Sequence, residues 1–352
     1  MSDVAVIGFA ESVSERHAAG TTNGVEMLVP LLHEVLTETG LRRRDVGFWC
    51  SGSSDYLAGR AFSFVSAVDA IGAFPPVAES HVEMDGAWAL YEAYAKLLTG
   101  EADTAVVYGF GKSSAGDLRR TLALQLDPYL VAPLWPDSVS IAALQARACL
   151  ESGLCTERDM AEVAARSRAH ALTNPHAQLS GRVTAEELLT RPYLAEPLRA
   201  HDCAPISDGA AAVVLARGDV ARRHCPRPAW ITGFAHRVDS GGLGLRDLTR
   251  SPSAVGAAAA AGLDAATLDV AELHAPFSHQ ELLLVRELGL GERVRVNPSG
   301  GVLAGNPMFA AGLARIGAAA RQVTSGQADR AAGHATSGPA LQQNLFCVME
   351  SR

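Results

Sequence analysis

The chain has 352 residues, 48% of them hydrophobic and 19% charged, with a formal net charge of -8. That length exceeds one simple core and points to two domains or a duplicated one, and the composition excludes a disordered chain. An acidic balance without a basic stripe excludes nucleic acid as an expected partner.

The opening stretch, MSDVAVIGFAES, has no basic segment followed by a long apolar run. No secretory leader and no membrane span is expected, and the expected location is the cytoplasm. Cys50, Cys149, Cys155, Cys203, Cys225 and Cys347 are scattered without a C-x-x-C pair. This fits reduced thiols and gives no expectation of a metal site within the chain.

In chain order, Val4–Gly8 reads as a buried strand and Gly24–Thr39 as a helix stopped by Gly40. Asp45–Cys50 reads as a second strand, Ala87–Thr99 as a helix ending at Gly100, and Asp103–Gly109 as a third strand. The second half repeats this order: strand Ala229–Phe234, helix Ala254–Ala261 ending at Gly262, strand Leu268–His274, and helix Leu313–Thr324 ending near Gly326. SGQADRAAGHATSG echoes TGEADTAVVYGFGKSS. An offset of about 225 residues is too long for a solenoid and suits a duplicated α/β unit with a mixed sheet. The alignment sets Cys50 opposite His274 and Tyr108 opposite His334. Between the halves, Ala115–Leu198 carries Pro128, Pro133, Pro136, Pro175 and Pro192 among amphipathic stretches and reads as an inserted helical subdomain. The expected division is residues 1–114 with 199–217 as the N-terminal half, 115–198 as the insertion, and 226–352 as the C-terminal half.

The stretch around which these elements are organised is Val296–Ile316, VNPSGGVLAGNPMFAAGLARI. Gly300, Gly301 and Gly305 let backbone come close to a ligand or another strand. Asn306 and Pro307 are expected to open the following helix, whose N-terminal N–H groups can hold an oxyanion or a thioester carbonyl. His274, in AELHAPFSHQE, is expected at a strand end, and the two segments are expected to form one site.

The segments DCAPISDGAAAVVLA, ELHAPFSHQE, NPSGGVLAGNP followed by AAGLARI, and HATSGPALQQN together resemble the thiolase superfamily. The nearest branch is that of sterol-carrier-type thiolases and bacterial lipid-transfer-protein homologues, and the resemblance runs from the first strand to the C-terminus. It implies a five-layered αβαβα fold of two similar halves with an inserted loop domain. It also implies acyl-CoA substrates, no tightly bound cofactor, and a homodimer or heterodimer of thiolase-like chains. Members of this branch are similar to aldolases that shorten sterol side chains with a small partner carrying an OB fold and a zinc ribbon.

The departures from that pattern shape the functional expectation. In HVEMDGAWAL, Glu83 stands where the family has its nucleophilic cysteine, followed by Met84, Asp85 and Gly86. Asn306 replaces the histidine of the G-H-P motif, and the second cysteine is replaced around His334. His274 is the standard catalytic position that remains. Claisen condensation and thiolysis need an activated thiolate. An enolate-forming step needs only a base and a preorganised hole for the thioester oxygen. The expectation is therefore retro-aldol cleavage of a β-hydroxyacyl-CoA, with a steroid-like acyl group. His274 is the candidate acid/base or hole donor, and His334, read as lying in a glycine-rich turn, the second proton carrier. Asn306 is a hole donor or a helix N-cap. Glu83 and Asp85 act as base, hold a histidine, or serve a helix dipole. His81 and Tyr108 are further candidates for the same cavity. Two alternatives stay open: a subunit that only binds acyl-CoA, and a true acyltransferase working through Cys50. Cys50, Cys203 and Cys347 otherwise read as buried thiols, and His279 as a helix-surface residue.

Overall fold

A computed structural model describes residues 3–20, 24–58, 61–129 and 131–352. Residues 1–2, 21–23, 59–60 and 130, and with them the very start of the expected N-terminal half, lie outside the described residues. The strands are β1 Val4–Glu11, β2 Phe48–Gly52, β3 Glu79–Val82, β4 Thr104–Lys112, β5 Tyr193–Ala195, β6 Leu198–Arg199, β7 Asp208–Arg217, β8 Ala229–Val238, β9 Val270–Glu272, β10 Arg295–Val296, β11 Arg330–Ser337 and β12 Gln343–Glu350. Strands β5 and β6 form a separate hairpin, and the other ten run in the order β10-β9-β11-β12-β8-β1-β7-β4-β2-β3.

Read outward from its middle, this sheet is two copies of one pattern: β1-β7-β4-β2-β3 and β8-β12-β11-β9-β10. In each copy the three outer strands pair in parallel, and the fourth turns antiparallel to both neighbours. The copies meet through the register pairs Ala5–Trp230 and Val6–Ala229. The expected duplicated α/β fold is the one observed.

Side chains alternate between the two faces of a strand, and this alternation builds the layers. Val4, Val6, Val107 and Leu215 of one copy and Ala335, Leu345 and Met349 of the other close on two inner helices, Gly86–Thr99 and Ala311–Thr324. The opposite face of the N-terminal copy, with Ile7, Trp49 and Tyr108, packs under helices Val25–Thr39 and Val65–Ile71. The opposite face of the C-terminal copy, with Ala332 and Phe346, packs under helices Pro252–Ala260 and Ser278–Glu287 and the inserted helix Ser138–Glu151. The result is the five-layered αβαβα arrangement of a thiolase-like fold. Among the described residues no helix is long and apolar enough to cross a membrane.

Asp85 joins the two inner helices. It is the N-cap of Gly86–Thr99, accepting from the Ala87 N–H at 2.9 Å. It also accepts from the Gly312 and Leu313 N–H groups, each at 2.9 Å, at the start of Ala311–Thr324. Burial raises its pKa, and the three N–H donors oppose that shift.

Three local expectations are corrected. The helix after the glycine run begins at Ala311 with Ala310 as its N-cap, so Asn306 and Pro307 lie in the preceding loop and Asn306 caps nothing. Phe309 holds φ at 66°, which a helix cannot continue, and its carbonyl accepts from the Gly86 N–H at 2.8 Å. His334 lies within strand β11 and not in a turn, because Gly333 lets the strand press on the inner helix: a Cβ there would sit 2.5 Å from Ile316 Cα. His279 is fully buried, since the inserted helix Ser138–Glu151 covers the face on which it sits.

Replacing Asp85 with alanine leaves three buried N–H groups without an acceptor. The expected loss is about 2–4 kcal/mol of unfolding free energy, read as a lower urea midpoint at unchanged slope.

Candidate functional site

Strand β9 ends at Glu272, and the next two backbone N–H groups have side chains as acceptors. Leu273 N–H donates to Asn297 Oδ1 at 2.6 Å, and His274 N–H donates to His334 Nδ1 at 3.2 Å. Asn297 is buried, with φ at 48°, and its Nδ2 donates to Glu281 Oε2 at 2.6 Å. Glu281 in turn pairs with Arg166, on the inserted helix Glu157–His170. Beneath the turn, the buried Glu272 carboxylate accepts from Ser299 N–H at 3.0 Å, Ser299 Oγ at 2.7 Å and Arg315 at 2.9 Å.

Since His334 Nδ1 is an acceptor, its proton sits on Nε2, which donates to Asn344 Oδ1 at 2.9 Å. The ring stacks on Phe346 with centroids 4.5 Å apart. Both ring nitrogens are therefore held, and burial lowers the pKa to about 4. His274 Nδ1 receives the Thr336 N–H at 3.4 Å, which places the His274 proton on Nε2 as well. Burial, then repulsion from His334 and Arg315, lowers its pKa to about 3, while the adjacent Asn306 side chain acts in the opposite sense. His274 at neutral pH is an uncharged donor.

Asn306 reaches this ring from a loop held by its own N–H, donating to Ser207 Oγ at 2.9 Å. Its amide Oδ1 is buried without a hydrogen-bond partner. The loop lies directly across the end of β4. A Cβ at Gly109 would stand 2.2 Å from Phe309 O, and one at Gly111 2.1 Å from Met308 O. These two glycines, whose alternation in YGFGK signals one flat strand face, belong to the site architecture and were not singled out from sequence.

Gly300 and Gly301, with φ at 99° and 63°, make their close approach to protein: to Ala171 of the insertion and to Asn297 respectively. Gly305 packs on Ser14. Ser167 donates to Gly300 O, and Asn174 Nδ2 to Ser299 O at 3.1 Å, so the insertion clamps the glycine turn.

The acidic pair divides. Asp85 is committed to the two helix starts. Glu83, half-exposed at the end of β3, accepts from Asp55 N–H at 2.7 Å and lies 3.4 Å from His81 Nε2. His81 Nδ1 is 3.2 Å from Ser51 Oγ. Tyr108 lies across from Ser51 on the neighbouring strand, with its hydroxyl buried and unpartnered. Cys50 faces the inner layer, fully buried, and burial pushes its thiol to about 12. Cys203 is likewise pushed up to about 12, and burial raises Cys347 further. Among the described residues no group of three or more His, Cys, Asp or Glu side chains is placed to hold a metal. Asn297, the Glu272–Arg315 pair and the double role of Asp85 escaped sequence reasoning, since each depends on a partner distant in the chain.

No protein-family model matches the chain. An acetyl-CoA acetyltransferase of Methanothermobacter thermautotrophicus is 31% identical over 269 residues, covering 68% of this chain and 70% of that protein. A 17-hydroxy-3-oxo-4-pregnene-20-carboxyl-CoA lyase of Mycobacterium tuberculosis is 33% identical over 148 residues, covering 39% of this chain and 38% of that one. Among solved structures, a chain of the "Ltp2-ChsH2(DUF35) aldolase" superposes with a TM-score of 0.81 at 20% identity, covering 99% of this chain and 98% of that one. The duplicated five-layered fold with a histidine at the β9 end defines a thiolase-type protein. The chain belongs to the thiolase superfamily.

His274, His279 and His334 ionise near pH 6.5 in an unfolded chain and near 3, 3 and 4 when folded. Between those limits the unfolded chain binds more protons, so stability rises with pH in that window and is lost on acidification. Unfolding free energies from urea titrations between pH 7 and pH 5 should fall, by about 1 kcal/mol per pH unit for each histidine below pH 6. His279→Gln should flatten that slope.

Proposed function

We propose that this chain is a carbon–carbon lyase that cleaves a β-hydroxyacyl-CoA by a retro-aldol reaction, with no covalent enzyme intermediate. The observation that carries the reading is the pairing of a neutral His274 with Asn306, read together with Glu83 in the segment that resembles the family's nucleophile motif. A thiolate is absent from this arrangement: Cys50 is buried in the inner layer with its thiol pushed to about 12.

In the proposed reaction a base takes the β-hydroxyl proton. The O–H electron pair becomes the new carbonyl bond, and the Cα–Cβ pair passes into a thioester enolate. Protonation at Cα then gives the shortened acyl-CoA and a ketone or aldehyde. His274 serves the enolate oxygen as a donor and not as the base, because its Nδ1 lone pair already receives the Thr336 N–H. An uncharged imidazole donor in a dry site stabilises developing negative charge without first needing to lose a proton. Asn306 adds its amide from the opposing loop. His334 and Asn297 hold the backbone that carries His274.

The substrate supplies the CoA thioester, and no tightly bound cofactor takes part. Similarity to a pregnene-carboxyl-CoA lyase supports a steroid-like acyl group, and the two-component name of the structural neighbour supports a second subunit. On this reading the chain works as a thiolase-like homodimer or heterodimer, joined by a small subunit of the OB-fold and zinc-ribbon kind. The second reading is acyl transfer, favoured by the 31% identity to an acetyl-CoA acetyltransferase.

Incubation with a steroid β-hydroxyacyl-CoA, with copurifying subunits present, should release a short acyl-CoA. His274→Ala should lower kcat about 100-fold while acyl-CoA binding persists. Acyl labelling of Cys50, detected by mass spectrometry, would establish acyl transfer in its place. Tight acyl-CoA binding without any turnover would leave a binding subunit.

A further inference from the structure

A line of polar side chains leads from the interior of the N-terminal copy to Glu83. Ser51 on β2 stands in register between Tyr108 on β4 and His81 on β3, three neighbouring parallel strands. Ser51 is fully buried, the His81 side chain is 16% exposed and that of Glu83 49%. Ser51 Oγ lies 3.2 Å from His81 Nδ1, and His81 Nε2 lies 3.4 Å from Glu83 Oε2. The other carboxylate oxygen receives the Asp55 N–H at 2.7 Å.

The surrounding loop is built to hold this line. Phe64 stacks on the His81 ring with centroids 4.7 Å apart. The Asp55 carboxylate in turn accepts from Phe62 and Ser63 N–H at 2.9 and 2.8 Å, fixing the segment that delivers Phe64. An isolated exposed ion pair is worth little and wanders between rotamers. Here the carboxylate is fixed at both oxygens, and the imidazole at both nitrogens and one face. With Ser51 donating to Nδ1, the proton of a neutral His81 sits on Nε2 and points at Glu83.

Glu83 precedes by two residues the Asp85 cap that ties the two inner helix starts together. Asn306 lies on the loop whose Phe309 carbonyl binds the Gly86 N–H. Both residues therefore sit on the segments that lead into this joined pair of helix starts.

We propose that Glu83 accepts the β-hydroxyl proton, and that His81 and Ser51 are positioning residues that aim its carboxylate. The proposal rests on the lyase reading and deepens it. The substrate O–H bond breaks as a Glu83 O–H bond forms. The electron pair of the broken Cα–Cβ bond passes to the enolate, and the proton returns to Cα. Atoms and charge balance without a co-reactant.

The test uses the full chain with its copurifying subunits and a β-hydroxyacyl-CoA substrate. Glu83→Gln should lower kcat about 100-fold with KM changed by less than about threefold. His81→Phe should lower kcat about tenfold, and His81→Gln, which restores an N–H donor toward Glu83, should recover most of that loss. Ser51→Ala should fall between the wild type and His81→Phe. A wild type that cleaves while Glu83→Gln stays within about twofold of it overturns this proposal and leaves the lyase reading standing. Equal kcat for His81→Phe and His81→Gln overturns the positioning role. A wild type that cleaves nothing overturns the lyase reading, and this proposal with it.

Discussion

Two helix N-termini directed at the same point are electrostatically unfavourable, since each presents unpaired N–H groups and a partial positive charge. Asp85 resolves this with one carboxylate that accepts three N–H groups from both inner helices. The geometry demands glycine at the contact: a Cβ on Gly312 would lie 2.6 Å from Asp85 Oδ1 and from Ala335 Cβ. The two halves of the duplicated sheet share few register pairs of their own, so the inner helices, and the cap that aligns them, set how the halves meet. The Asn306 loop, the Glu83 segment and the β9 end all inherit their positions from that alignment.

The candidate site is a place where strand pairing stops and side chains take over. Past Glu272 the backbone has no ladder partner, and a buried N–H left alone costs more than a hydrogen bond contributes. Asn297 and His334 meet that need, and each is then fixed by a further partner, Glu281 and Asn344. The insertion joins this scaffold through Arg166, Ser167 and Asn174. The Glu272–Arg315 pair beneath would be expensive to bury alone, and Ser299 supplies the extra hydrogen bonds that such a pair requires.

Burial also decides the chemistry available. It keeps His274 uncharged, with Nδ1 accepting from the Thr336 N–H, and it keeps Cys50 a thiol. Glu83, by contrast, keeps a half-exposed side chain at the end of β3.

The order of strands and helices was legible in the sequence because hydrophobic periodicity and glycine stops are local signals, and the duplication because it repeats them. The place of His274 beyond a strand end, and the family itself, were legible in short motifs for the same reason. What the sequence concealed was every feature that depends on a distant neighbour. Phe309 ends its own helix register because its carbonyl is claimed by Gly86. His334 joins a strand because Gly333 admits the inner helix, and His279 disappears beneath the insertion. Gly300 and Gly301 were legible as points of close approach, but only the packed chain shows that what approaches is protein. Asp85 reads in the sequence as an acid before a helix. That it caps a second helix, more than two hundred residues further on, is decided by tertiary packing, because no local pattern records which N-termini the folded chain will bring together.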